Sequence, residues 1–271
     1  MRRDNVDSAA TMSSWPVRVW EENGIPRQYR LLLRPWLDAG LPLDHLVYVP
    51  KLKYARGSRE YLLAARDGEV LILMDYGRGG VEQTLVTRQG LRAVAHTRDL
   101  LSSSLEFLWD DGGLRQVTVP FNRAREELFL SALNTLLGAA DDFDGGAQAA
   151  QRPAALRAQS YALYNFAGDA YRLGPAISEW RSGALLRSRR EIKQQNSAEA
   201  LACRLEKGLF LLEFRGTKAA AVYYPQRDAA FTTGWDEDGH PTWQVRVPGV
   251  PGTNPLARRL TLETDTGWQP G

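Results

Sequence analysis

Short apolar runs, separated by polar turns, follow one another from His45 to Gly77. The runs "EYLLAAR" and "EVLILMDY" have the period of strands, and Asp67-Gly68 between them supplies the positive φ angles of a tight primed turn. Similar runs follow it: "VEQTLVT", "LRAVAHT", "SSLEFLWD" and "LRQVTVP". Together with the arm "HLVYV…LKYA" they predict about seven short strands, a pattern typical of a sandwich or small barrel.

The period becomes helical after Pro120. In "NRAREELFLSALNTLLG" the residues Leu128, Leu133 and Leu136 fall on one broad apolar face. Asn122 is a suitable N-cap and Gly138 stands just past the end. The pattern predicts an amphipathic helix over residues 122–137.

This order of strands followed by one helix resembles the pleckstrin-homology-like (PH-like) barrel, in particular its small bacterial members. The resemblance covers roughly residues 44–138 and depends on the element order, the "EYLLAARDGEVLIL" hairpin and the terminal helix. It implies a β-barrel whose open end is covered by that helix. It also implies that the first hairpin connection is the place for an anionic ligand, since many lipid-binding members bind headgroups there.

Changes in composition divide the rest of the chain. Residues 1–43 form a lead-in segment, which we expect to pack on the first domain, and its prolines predict only short pieces of helix. Residues 139–152, "GAADDFDGGAQAAQ", have the composition of a linker, and residues 153–271 mix helical and strand-like runs. The predicted fold class is therefore α+β, a PH-like barrel followed by a second α+β domain. Because "RLEKGLFLLEFR" echoes "ARDGEVLILMDY", a divergent second barrel is an alternative for that second domain.

Charge and cysteine content exclude several classes. The 34 basic residues nearly balance 32 acidic ones, so the net charge of +2 gives no global field that favours nucleic acid. Cys203 is the only cysteine, which excludes an intrachain disulfide and a thiolate metal cluster. The N-terminal stretch lacks the apolar core of a secretory signal, and no run is long enough to predict a transmembrane segment. A cytoplasmic protein is the resulting expectation.

Candidate catalytic groups are sparse. The three histidines, His45, His96 and His240, form no short-range metal-ligand pair, and the serines at 102–104 lack the glycines of a nucleophile elbow. Gly77 to Gly80 has no Lys-Ser or Lys-Thr after it, so it is not a phosphate loop. Asp236, Glu237, Asp238 and His240 offer ligands to a cation, but an acidic turn is the simpler interpretation. We predict no catalytic residue, no metal site and no cofactor.

Two basic clusters are the candidate binding residues. One consists of Lys51, Lys53, Arg56 and Arg59 on the connection after the first strand, and the other of Arg187, Arg189, Arg190 and Lys193. A solvated loop and a salt-bridged surface between domains are the structural alternatives for the first and second cluster, respectively.

Three functions remain open. A non-enzymatic binding or adaptor protein, acting through protein–protein contacts, is favoured because a sizeable core is evident while catalytic chemistry is not. The alternatives are a peripheral binder of an anionic lipid or phosphate ligand through the Lys51–Arg59 turn, and an enzyme whose active site is dispersed along the chain.

Overall fold

The computed structural model describes residues 14–52, 58–226 and 229–271. Its contacts divide the chain into two compact units. Unit 1 comprises residues 1–89, 101–103 and 119–141, and unit 2 comprises residues 90–100, 104–118 and 142–271. Both contain antiparallel sheet and helix, so the α+β class is confirmed.

Unit 1 is built on a five-stranded antiparallel sheet whose strands follow one another in chain order. They are β1 (Val17–Arg18), β2 (Leu46–Val49), β3 (Glu60–Arg66), β4 (Glu69–Asp75) and β5 (Val81–Thr87). The turn between β3 and β4 consists of Asp67 and Gly68, whose φ angles are 52° and 83°. The primed turn predicted at these two residues is confirmed.

One face of this sheet is covered by helix α1 (Arg27–Asp38). Tyr29 and Leu33, one turn apart on the helix, are fully buried in a core that includes Leu62 and Leu71 from the strands. The lead-in also contributes Val19 and further apolar residues to this core. The prediction of only short helical pieces was wrong, because α1 continues for 12 residues with Pro35 inside it.

The second helix of unit 1, α2 (Leu130–Leu137), packs against β3 and β4. A 3-10 segment, Arg123–Phe129, precedes α2. The side chain of Asn122 caps this segment by accepting a hydrogen bond from the backbone N–H of Ala124, and Gly138 ends α2 with a φ of 66°. Both terminal residues therefore act as predicted.

Unit 2 contains most of an eleven-stranded antiparallel sheet. Its order is β13-β14-β15-β9-β10-β11-β12-β6-β7-β8, with β16 also paired to β9. The strands are β6 (Leu91–Asp99), β7 (Ser102–Asp110), β8 (Leu114–Asn122), β9 (Ile177–Leu185), β10 (Ala198–Leu205), β11 (Gly208–Arg215), β12 (Lys218–Tyr224), β13 (Ala230–Trp235), β14 (Pro241–Arg246), β15 (Arg259–Asp265) and β16 (Gln269–Pro270).

Both faces of this sheet bury apolar side chains. Helix α4 (Tyr161–Ala167) and the 3-10 segment Gly168–Leu173 lie over β10 and β11, and α3 (Ala154–Gln159) packs against α4. A second apolar cluster contains Trp243 and Leu262, both fully buried. The short helix α5 (Arg189–Lys193) begins with a capping box formed by Ser188 and Glu191.

The predicted barrel over residues 44–138 was wrong. Among the described residues β2 to β5 form an open sheet, whereas β6 joins a different sheet by pairing with β12. Helix α2 thus covers the face of an open sheet and does not close a barrel end. The alternative of a second barrel is corrected in the same way, since the sheet of unit 2 is also open in the described part of the chain.

The predicted linker, residues 139–152, contains ordered contacts in its second half. Arg152 donates to the carbonyl of Gly145 at 2.7 Å, and the hydroxyl of Tyr164 donates to the carbonyl of Ala149 at 3.0 Å. The proposed division into independently folding parts at this segment stays a prediction. Within the described residues, no helix has the length and apolar content needed to cross a bilayer.

Candidate functional site

The first basic cluster is only partly described. Lys51 is exposed just after β2, while Lys53 and Arg56 lie outside the described residues. The guanidinium carbon of Arg59 lies 3.8 Å from the ring centroid of Tyr76, a cation–π contact. Arg59 therefore has a structural contact in unit 1, and the ligand- or partner-facing patch of Lys51, Lys53, Arg56 and Arg59 stays a prediction.

The second basic cluster is divided between ion pairs and solvent. Arg187 forms an ion pair of 3.4 Å with Glu263, and both side chains are half-buried. Arg189, Arg190 and Lys193 on and beside α5 are exposed, and none of the three forms an ion pair in the described residues. Glu191, the acid within this run, pairs with Arg215 at 3.1 Å.

The acidic turn has a local explanation. One carboxylate oxygen of Asp236 accepts the backbone N–H groups of Asp238 at 3.1 Å and His240 at 2.8 Å. These backbone hydrogen bonds, chiefly that of His240, lower the pKa of Asp236. The carboxylates of Asp236 and Asp238 and the His240 ring come together because they shape the β13–β14 turn.

Cys203 is fully buried in β10, and this burial raises the pKa of its thiol. A cleft of about 460 Å³ is lined by Arg204 and Glu206 among others. Arg204 is already engaged, since it pairs with Glu179 at 3.3 Å and lies over the ring of Trp268. The hydroxyl of Ser178, which also lines this cleft, donates to the backbone carbonyl of Arg204 at 3.1 Å.

The most unusual surface is strand β13, residues "AFTTGW", which carries no charge in a chain that is 24% charged. It lies at the end of the sheet and, among the described strands, pairs only with β14. Natural edge strands usually carry charges, prolines or bulges that prevent pairing with other chains. β13 lacks charge and proline along its whole length.

The backbone of β13 offers unpaired groups to solvent. The N–H of Asp236 donates to the carbonyl of His240, so the hydrogen-bonded pairs of the ladder continue at Gly234 and Thr232. The N–H and C=O groups of the alternate residues then point away from β14. These residues are Phe231, Thr233 and Trp235, and their outward groups make no hydrogen bond in the described part of the chain.

The side chains of β13 extend the apolar core to this open edge. The ring of Phe231 packs edge-on against Trp243, with centroids 5.5 Å apart, and against Trp268 at 5.1 Å. Trp235 lies four residues further along the same face, beyond Thr233, and is 72% exposed. This face of β13 thus begins in the core at Phe231 and ends in solvent at Trp235.

Charge of opposite sign flanks the two ends of β13. Glu237 and Asp238 are exposed in the turn that follows Trp235. At the other end, exposed Arg246 on β14 pairs in register with Ala230. The sequence predicts strand-like runs within residues 153–271 but not that one of them lies at a sheet edge. The signal for β13 in the sequence is the uncharged run itself.

No family model, curated protein or solved structure matches the chain.

Proposed function

We propose that the protein is a non-enzymatic adaptor that binds an extended segment of a partner protein as an additional strand on β13. The observation that carries this proposal is the set of outward backbone groups on β13 beside the exposed ring of Trp235. Strand addition uses main-chain hydrogen bonds for affinity and alternate side-chain contacts for specificity. β13 offers both kinds of contact.

The charges at the two ends of β13 predict which residue types the partner segment contains. We expect an uncharged centre with an apolar residue that covers Trp235, a basic residue near Glu237 and Asp238, and an acidic residue near Arg246. Exposed aromatic residues are the usual anchors of such interfaces. We place this activity in the cytoplasm, where a chain whose single cysteine is a free buried thiol needs no oxidising environment.

The alternative of an anionic lipid or phosphate ligand at the Lys51–Arg59 turn has weaker support. Arg59 is held over Tyr76, whose hydroxyl donates to Glu82 at 2.5 Å, so an acidic group lies close to the supposed anion site. A dispersed enzyme active site has no arrangement in the described residues to support it.

The proposal is tested by photocrosslinking from position 235. Trp235 is replaced with p-benzoylphenylalanine in cells that naturally make the protein, and adducts are mapped by mass spectrometry. The same replacement at Leu31, which is 84% exposed on α1, reports on nonspecific capture. We expect position 235 to crosslink to one extended segment of one partner protein.

Backbone variants decide whether strand pairing is responsible. Thr233→Pro removes an outward N–H that β14 does not use, whereas Thr233→Ala keeps it. A second variant, Thr233→Lys, keeps the N–H but places a charge on the edge. We expect the adduct to survive in Thr233→Ala and to disappear in Thr233→Pro and Thr233→Lys, with thermal midpoints confirming that each variant is folded. Equal crosslinking in all three variants, no specific adduct, or adducts only to a second copy of this chain would each overturn the adaptor proposal.

A further inference from the structure

Two carboxylates face each other at one end of the unit 1 sheet. Glu60 on β3 and Asp75 on β4 are direct cross-strand partners, so their side chains lie side by side on the same face. Like charges in this position destabilise a sheet. In the described residues neither carboxylate has an ion-pair partner that would offset the repulsion.

The amide of Gln28, in the first turn of α1, lies between them. Its nitrogen is 3.3 Å from Oε2 of Glu60 and 3.4 Å from Oδ2 of Asp75. One polar group thus reaches both carboxylates at once, and a single small cation at this point would do the same. The Gln28 side chain is exposed, and a rotation of its amide presents an oxygen in place of the nitrogen.

A buried hydroxyl is directed at the same place. Tyr29 is fully buried, and its hydroxyl makes no hydrogen bond of normal geometry within the described residues. Burial raises the pKa of Tyr29, and the negative charges of the nearby Asp75 and then Glu60 raise it further. An unsatisfied buried polar group costs about 1–3 kcal/mol, so the fold retains this hydroxyl at a cost.

A second phenol completes the oxygen set. Burial, the charge of Glu60 and a hydrogen bond to Glu60 raise the pKa of Tyr48. Tyr48 lies on β2, so the oxygens come from three strands and a helix. Carboxylate, amide and hydroxyl oxygens are hard ligands, which suit calcium or magnesium and not the softer metals.

We propose that Glu60 and Asp75 bind a calcium ion, with Gln28, Tyr29 and Tyr48 supplying further oxygens or holding its waters. Calcium is favoured over magnesium because it accepts irregular sets of six to eight oxygen ligands, whereas magnesium demands a near-ideal octahedron. The ion replaces the repulsion between the carboxylates with attraction and gives the Tyr29 hydroxyl a partner. Calcium binding then stabilises unit 1 by joining α1 to the sheet.

Terbium luminescence is the direct test, because Tb³⁺ replaces calcium and is sensitised by nearby tyrosine rings. The full chain is titrated with Tb³⁺ alone and then with calcium as competitor. We expect saturable emission that calcium removes. Glu60→Gln and Asp75→Asn should each weaken binding at least tenfold, whereas Asp38→Asn should not, because that carboxylate pairs with Arg34 at the far end of α1.

Thermal unfolding gives an independent readout. Without divalent ions, Glu60→Gln, Asp75→Asn and Tyr29→Phe should melt at or above the wild-type temperature, because each removes a repulsion or an unsatisfied hydroxyl. Added calcium should raise the wild-type midpoint and leave those of Glu60→Gln and Asp75→Asn unchanged.

Several results would overturn the calcium site. One is wild-type protein without saturable emission. Another is emission that persists in Glu60→Gln and Asp75→Asn, which would assign the lanthanide to a different acidic cluster. Competition by magnesium but not by calcium would reject the choice of ion. None of these measurements depends on strand addition at β13, so the two proposals stand or fall separately.

Discussion

Arg98 and Asp169 form an ion pair of 2.8 Å in the interior of unit 2, where their side chains are only 7% and 15% exposed. Arg172 approaches the other oxygen of the same carboxylate at 2.6 Å. Burial alone would raise the pKa of Asp169, but the charges of Arg98 and Arg172 and their hydrogen bonds hold it well below its usual range. One carboxylate thus forms ion pairs with two buried guanidinium groups.

Replacing Asp169 with Asn should lower the free energy of unfolding by about 3–5 kcal/mol, because it leaves buried positive charge uncompensated. The pKa of Asp169 is depressed in the folded state, so its contribution is present above the unfolded pKa of about 3.9 and is lost as the pH falls towards the folded value. Urea unfolding from pH 7 down to pH 3 should therefore show a shallower acid slope in Asp169→Asn than in wild type. Asp111→Asn, at an exposed ion pair, should change stability by less than about 0.5 kcal/mol.

Leu133 and Leu136 on α2 are fully buried against the unit 1 sheet. Each change to Ala should cost about 2–5 kcal/mol, from lost burial and the cavity left behind. Leu31→Ala is the matched control, since that side chain is 84% exposed, and it should cost less than about 0.5 kcal/mol. Denaturant midpoints for the three variants would contradict the packing of α2 if they were equal.

Gly68 should resist substitution. Its φ of 83° is strained for any residue with a Cβ, and a Cβ would lie 3.3 Å from Nε of Arg88. Gly68→Ala should therefore destabilise the protein by about 1 kcal/mol or more. Gly113→Ala, where a Cβ meets open space and φ is not positive, should be nearly neutral in the same thermal unfolding experiment.

Cys203 should be unreactive in the native protein. Burial raises the pKa of its thiol, and the thiolate is the nucleophile in exchange with disulfide reagents. At pH 8 we expect negligible reaction with Ellman's reagent over an hour and complete reaction of one thiol in 6 M guanidinium. Rapid reaction under native conditions would show that β10 opens readily.

The two described members of the first basic cluster should behave differently. Arg59→Ala loses the contact with Tyr76 and should lower stability by about 0.5–1 kcal/mol. Lys51→Ala removes an exposed charge and should have an effect within about 0.5 kcal/mol. Similar losses at both positions would indicate that Lys51 has a structural contact of its own.

Local chemistry made parts of this fold predictable. The Asp67-Gly68 turn, the Asn122 cap and the helix end at Gly138 each follow from the backbone preferences of one or two residues. The barrel was wrong because the alternation of β6 is the same whether its neighbour is β5 or β12. Pairing between distant strands has no local signal.

The two candidate sites likewise depend partly on local sequence and partly on the pairing of strands. The uncharged run of β13 is visible in the sequence, but its position at a sheet edge depends on the strand order of unit 2. Glu60 and Asp75 are separated by 14 other residues and face each other only because the β3–β4 hairpin has a two-residue turn. Tyr29 lies on α1, a different element of the chain, so no rule of residue spacing would have predicted that these three residues belong to one site.

The pairing of β6 with β12 has a consequence for synthesis of the chain. A hydrogen bond from Thr217 to Asp99 spans 118 residues at the end of this pair. While the ribosome makes the intervening segment, the N–H and C=O groups on one side of β6 have no strand to pair with. Such long-range pairing is slow to form. A nascent chain released before Lys218 would leave both β6 and β11 with an open side, so we expect truncated products to be removed by proteolysis or to aggregate.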